Sequence, residues 1–150
     1  MLDIKNNQVL KYKHKKLVNE SFLNLDMEKQ TVIDSSGLVG QVIEVSKQYS
    51  RVMLITDLNS FVPVAVLRNN LRLMLQGMGM SEKLQLLHVN PTADIRVGDL
   101  LISSGLGERF PAGYPVGLIN AIDYVEGRPF VDVTATPKSG LDRSQHLLLV

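Results

Sequence analysis

The sequence predicts an all-β fold, and three observations predict it. Strand-length apolar runs recur along most of the chain, glycines punctuate them closely, and helix-period patterning is scarce. The block Asp94–Gly117 shows all three features. There Gly98, Gly105, Gly107, Gly113 and Gly117 separate apolar runs too short for helices. Glycine at such spacing lets the backbone enter positive-φ turns without steric cost. About ten short strands, with turn signals roughly every 8–12 residues, fit barrels or a sandwich. A chain of 150 residues has room for two small β domains.

The elements follow in order. Val9–Leu17 partly alternates and reads as an edge strand, where lysines discourage unwanted pairing. Short helical turns fit Glu20–Asp26 and Leu141–Ser144, where the strand pattern lapses. Thr31–Ile33 is a strand, and Asp34-Ser35-Ser36-Gly37 is a turn. Leu38–Val45 resumes as a strand, with Gly40 marking a bulge or a close backbone approach. Arg51–Thr56 is an apolar strand, and Asp57-Leu58-Asn59-Ser60 turns it. Phe61–Leu67 follows, with Pro63 marking an edge or bulge position. Leu71–Leu75 and Leu84–Val89 flank Gly77-Met78-Gly79-Met80 as a hairpin with a mobile tip. Leu100–Ser103, Val116–Val125, Phe130–Thr136 and His146–Val150 complete the strands, with a hairpin loop at Glu126-Gly127-Arg128. The boundary between two β units is placed near Val66–Asn70.

Composition narrows the chemistry. The net charge of +1 creates no global field for nucleic acid or acidic substrates. The absence of cysteine excludes disulfides, thiolate nucleophiles and Cys-bearing zinc sites. With no Trp and few aromatic residues, the core is aliphatic. No stretch approaches the roughly 20 apolar residues of a membrane-spanning helix, and residues 1–30 hold no apolar signal core. Taken alone, the chain is expected to be soluble. Residues 1–30 carry six lysines and no arginine, with Lys11, Lys13, Lys15 and Lys16 grouped around His14. This run reads either as a patch for anionic lipid or nucleic acid or as a solvated edge strand, and the balanced overall charge favours the second.

Reactive constellations are few. His14, His88 and His146 share no metal-ligand spacing, so no metal or cofactor is expected. Ser103 and Ser104 precede Gly105 as candidate nucleophiles, but Leu101 and Ile102 stand where a nucleophile elbow needs glycine. Serines capping a turn through hydroxyl-to-backbone bonds are the favoured reading. Gly77-x-Gly79 lacks the rest of a phosphate loop. Asp94 and Asp99 read as a turn opener and a strand start with its side chain in solvent, in preference to a carboxylate pair. Phe110, Pro111, Tyr114 and Pro115 form an apolar loop, either core plug or contact surface.

The motifs Gly37-Leu38-Val39-Gly40-Gln41-Val42, Ser50-Arg51-Val52, Asp94–Leu100, Ser103–Gly107, Phe110–Gly117 and Leu141-Asp142-Arg143 carry a resemblance. In order and spacing they resemble the bacterial rod shape-determining family MreC over roughly residues 31–150. The Gly98–Gly117 block is the most specific part. The resemblance implies two small six-stranded-type barrels, a chymotrypsin-like pair without a catalytic triad. It further implies a non-enzymatic extracytoplasmic scaffold of the cell-elongation machinery, periplasmic and tethered to the inner membrane in the full-length family. Its implied partners are the elongation penicillin-binding transpeptidase, MreD, RodA, MreB and a second copy of the chain, with no nucleic acid. Membrane contact is expected only through an N-terminal anchor. The family's transmembrane helix and coiled coil have no counterpart here, and Asn19–Asp26 lacks the glycine-bearing turn usual at that place.

The expected organisation is therefore a diverged or partial segment over 1–30, a first barrel over 31–66 with part of 1–30, and a second over 67–150. The C-terminal strand is a candidate to return to the first barrel. Met78, Met80, Phe110 and Tyr114 are the candidate protein contacts, because methionine adapts its shape and aromatic anchors dominate interfaces. The alternative is a serine hydrolase on a two-barrel frame, using Ser103 or Ser104 with a histidine. A basic-patch binder using Lys11–Lys16 is a third reading.

Overall fold

A computed structural model describes residues 2–5, 9–13, 16–19, 30–79, 82–140 and 147–150, with side chains from residue 30 onward. Thirteen strands account for nearly all regular structure among them. They are β1 (Leu2–Lys5), β2 (Val9–Lys13), β3 (Lys16–Asn19), β4 (Thr31–Ile33), β5 (Leu38–Val45), β6 (Tyr49–Leu54) and β7 (Phe61–Val66), followed by β8 (Arg72–Gly77), β9 (Leu84–Val89), β10 (Leu100–Ser103), β11 (Pro115–Asp123), β12 (Val131–Pro137) and β13 (Leu147–Leu149). A single 3₁₀ turn, Leu106–Glu108, is the one helical element among the described residues. The helical turns expected at Glu20–Asp26 and Leu141–Ser144 lie outside the described residues.

Six strands close into a barrel in the order β10-β11-β12-β9-β8-β7. Alternation builds its interior. Val62, Val64 and Val66 of β7, Leu84 and Leu86 of β9, and Val131, Val133 and Ala135 of β12 all point inward and are buried. Each such Val or Leu contributes about 1.5–3 kcal/mol on full burial, so an aliphatic core suffices without tryptophan.

The remaining strands form a seven-stranded sheet, β1-β6-β5-β4-β13-β2-β3, with its own core of Val32, Val39, Val42, Val52, Leu147 and Leu149. The last strand, β13, pairs antiparallel with β4 and parallel with β2, which returns the C-terminus to the N-terminal sheet.

Several expectations need correction. The crossover from sheet to barrel falls between Leu54 and Phe61, not at Val66, because β7 directs three valines into the barrel and pairs there with β8 and β10. Thus 31–66 is not one unit. The expected edge strand Val9–Leu17 is two strands that pair antiparallel, with Lys13 in register with Lys16. β3 forms the sheet edge, while lysine-bearing β2 lies inside it. Pro63 is interior to a closed barrel, not at an edge. It is tolerated because β10 ends at Ser103 beside it, and the Pro63 carbonyl still accepts the Ser104 N–H at 3.0 Å. Gly40 is a close approach: a Cβ there would collide with the Met53 carbonyl on the neighbouring strand.

Sheet and barrel meet through the tip of the β4–β5 hairpin. Leu38 is fully buried in the barrel's core cluster, and Ile33 packs against it. The backbone of Gly37 lies so close to the start of β11 that a Cβ would sit 2.5 Å from the Pro115 carbonyl oxygen. Gln41 Nε2 donates to the Arg109 carbonyl at 3.3 Å across the same junction.

Candidate protein-contact site

The glycine-rich block folds as two turns locked by Ser103. Its hydroxyl is buried, donates to the Pro111 carbonyl at 2.5 Å and accepts the Tyr114 N–H at 3.0 Å. One side chain thereby fastens the Phe110–Tyr114 loop to the end of β10. Ser104 Oγ accepts the Leu106 N–H at 3.3 Å. Both hydroxyls act as turn caps. The loop needs Gly105 in the left-handed region at φ 77, with a would-be Cβ 2.9 Å from that of Ala112. Gly113 sits at φ 92. A side chain at either position would strain the turn.

Phe110 does not project as a contact. It is buried in the barrel core, because its loop folds inward under the Ser103 bonds. Tyr114 is half-buried and remains accessible in part. The methionine tip is also more restrained than expected. The Gly79 N–H donates to the Thr56 carbonyl at 2.8 Å, the Met78 N–H to the Lys83 carbonyl at 3.2 Å, and Met78 is half-buried. Met80 lies outside the described residues, as do His14 and His146.

Next to these turns, between the sheet and the 3₁₀ turn, runs an open groove of about 490 Å3. Gln41, Val42, Ile43 and Met53 line it from the sheet, and Glu108 and Arg109 line it from the barrel. Ile43 is partly exposed there.

Asp94 and Asp99 are brought together, contrary to the expectation that Asp99 points to solvent. Asp99 is buried, and a residue that sequence reasoning missed, Arg68, holds both carboxylates. Arg68 Nε and Nη2 donate to Asp99 at 3.0 and 3.1 Å, and Nη1 and Nη2 donate to Asp94 at 3.0 and 3.2 Å. The Arg96 N–H adds a bond of 2.8 Å to Asp99. The Arg68 hydrogen bonds hold both carboxyl groups below the usual carboxylate range, and in Asp99 this outweighs desolvation. Arg68 stands 26 and 31 residues from its partners, so no local spacing announces it. With each carboxylate occupied by a guanidinium, the pair serves as a structural clasp.

His88 is exposed at a β-bulge with φ 54, and its ring meets Phe130 edge-on at 5.1 Å. Among the described residues, no three His, Asp or Glu side chains gather as a metal site would require.

Fold and site together define a β-barrel module whose polar side chains fasten turns and whose exposed apolar groups are spread over its surface. The family described as "Rod shape-determining protein MreC, barrel core" matches residues 25–150. The cell shape-determining protein MreC of Escherichia coli is 42% identical over 139 residues, 93% of this chain. The crystal structure of MreC from Pseudomonas aeruginosa superposes with a TM-score of 0.79 at 50% identity, covering 82% of this chain and 79% of that one. A complex between penicillin-binding protein (PBP2) and MreC from Helicobacter pylori shares the fold, with a TM-score of 0.62 at 19% identity, covering 87% of this chain and 83% of that one. The chain belongs to the MreC family of rod shape-determining proteins. It spans 38% of the length of its Escherichia coli relative.

Proposed function

We propose that this chain is the barrel region of a non-enzymatic, extracytoplasmic scaffold that organises peptidoglycan synthesis during cell elongation. The observation that carries the non-enzymatic reading is the engagement of the candidate reactive groups. Ser103 is spent between Pro111 and Tyr114, and Asp94 and Asp99 are spent on Arg68. A nucleophile needs a base within about 2.6–3.2 Å and a free trajectory. The Ser103 hydroxyl instead donates its hydrogen bond to the main-chain carbonyl of Pro111.

The elongation penicillin-binding transpeptidase is the first partner in this reading. Support comes from the Helicobacter pylori relative, whose structure is a complex with PBP2. MreD, RodA, MreB and a second copy of the chain follow from the family resemblance. The seven-stranded sheet, which has its own aliphatic core, stands as the counterpart of the first of two paired barrels. In this reading the division is a sheet unit, which takes in β1–β3 of the N-terminal segment and is completed by β13, and the closed barrel. Periplasmic placement also follows from the family. Among the described residues, no helix is long and apolar enough to cross a membrane.

Tyr114 and the methionine tip are the contact candidates within this reading, with Met78 the described member and Met80 its neighbour. Phe110 supports the loop from beneath. The test is capture of partners from solubilised cell envelopes on the immobilised chain, alongside a serine-reactive fluorophosphonate probe. Recovery of the elongation transpeptidase with no covalent labelling is expected. Stoichiometric labelling of Ser103 or Ser104 would overturn the non-enzymatic reading.

A further inference from the structure

The β4–β5 turn holds a buried carboxylate whose two oxygens serve different parts of the molecule. Asp34 Oδ1 accepts the Ser36 N–H at 2.7 Å and the Gly37 N–H at 3.0 Å, which shapes the turn itself. Asp34 Oδ2 accepts the Gly140 N–H at 2.9 Å, across 106 residues of sequence. Gly140 follows β12, where the chain leaves the barrel to return to the sheet. Lys138, two residues earlier, is still tied to the barrel through its N–H on the Val116 carbonyl at 3.0 Å. The Asp34 side chain therefore links the tip of a sheet hairpin to the exit of the barrel.

The surroundings make this link consequential. Leu38, immediately after the turn, is buried in the barrel core, so the hairpin tip plugs the barrel from the sheet side. Gly37 rests against the Pro115 carbonyl with no room for a Cβ. Apolar plugging is non-directional and leaves rotation open, and the Gln41–Arg109 bond across the same junction is long, at 3.3 Å. Hydrogen bonds donated by backbone amides to a buried carboxylate are directional and strengthened by its charge. We propose that Asp34 is a positioning residue that fixes the angle between the seven-stranded sheet and the barrel, making the two a single rigid body. The consequence is mechanical: a partner held on the barrel is oriented relative to whatever the sheet contacts. This holds whichever partner binds.

The two oxygens allow a selective test. In Asp34→Asn the amide oxygen can keep the Ser36 and Gly37 bonds, while its NH2 then faces the Gly140 N–H, donor against donor. The turn survives and the link is lost. In Gly37→Ala the new Cβ meets the Pro115 carbonyl and wedges the tip outward. The chain has no cysteine, so Gln48→Cys in the exposed β5–β6 turn and Glu126→Cys in the exposed β11–β12 turn carry spin labels uniquely. Pulsed dipolar spectroscopy on the 150-residue chain should give one narrow distance for the parent. Asp34→Asn should broaden it at least twofold or add a second distance, and Gly37→Ala should shift its mean. Native-like distributions in either variant, once it is shown to melt cooperatively, overturn the proposal. Hydrogen exchange on the unsubstituted chain gives an answer that needs no variant. The Gly140 amide should be protected to within about tenfold of the Gly37 amide, and exchange of Gly140 at free-loop rates overturns the proposal.

Discussion

Arg68 Nε lies 3.0 Å from Asp99 Oδ1, and its Nη1 lies 3.0 Å from Asp94 Oδ2, so one guanidinium spans two carboxylates on the turn before β10. The relationship pins the β7–β8 turn, which carries Arg68, to the loop that opens the glycine-rich block. Of its members only Asp99 is buried, so the stability effect is concentrated there.

A pH dependence follows from the sign of the shift. The Asp99 carboxyl is held below its ordinary value near 3.8 by Arg68. A folded-state value that is depressed gives stability that is fully present above the unfolded value and is lost as pH falls through the folded one. The melting temperature of the parent should therefore fall more steeply below about pH 4 than that of Asp99→Asn. At neutral pH, Asp99→Ala should destabilise by about 2 kcal/mol, since it strands the Arg96 N–H and half of the Arg68 fork. Parallel slopes for parent and Asp99→Asn between pH 5 and 3, or roughly that window, would sink this account.

The glycine-rich block should be intolerant for two separable reasons at Gly105. Its φ of 77 penalises any side chain, and a Cβ there would press on Ala112 at 2.9 Å. Gly105→Val should cost about 1–3 kcal/mol, the range for strained backbone positions. Gly105→Ala should be partly rescued by Ala112→Gly, which removes the clash and leaves the φ strain. Denaturant melts of the four proteins check this, and full rescue would show that the dihedral contributes nothing.

Ser103 and Ser104 should separate by stability. Ser103→Ala removes the acceptor of a part-buried Tyr114 N–H and the donor to Pro111, and should cost about 1–3 kcal/mol. Ser104→Ala loses a longer, exposed bond and should cost under about 0.5 kcal/mol. Equal losses at the two positions would contradict the turn-lock assignment.

Phe110 and Tyr114 should part company in the same way. Phe110→Ala empties a core position and should cost about 3–5 kcal/mol. Loss of partner binding in that variant then reports unfolding, so it is no probe of contact. Tyr114→Ala and Met78→Ala should leave the melting temperature within a few degrees. A stable Phe110→Ala protein would place the ring outside the core.

Much of this architecture was legible because alternation and turn chemistry are local. Thr31–Ile33, Leu38–Val45, Leu84–Val89 and Leu100–Ser103 occur at the bounds that patterning gives. Gly40 marked a true close approach, and the glycines near Gly105 marked true left-handed turns. What escaped is non-local. The assignment of β7 to the barrel depends on which sheet its valines face, and Phe61–Val66 reads the same in either sheet. The burial of Phe110 depends on the Ser103–Pro111 bond, whose partners are eight residues apart, and the Asp99 environment depends on an arginine 31 residues upstream. An apolar loop looks alike in sequence whether it plugs a core or faces a partner.

The most direct test of the scaffold reading is a binding titration of this chain against the purified extracytoplasmic part of the elongation transpeptidase from the same organism. Saturable binding by the native chain is expected. Tyr114→Ala or Met78→Ala should weaken it at least tenfold, about 1.4 kcal/mol, with an unchanged melting temperature. Full affinity in both variants would move the contact elsewhere on the surface, and no binding by the native chain at concentrations up to about 1 mM, a weak association, would contradict a scaffold that holds the transpeptidase.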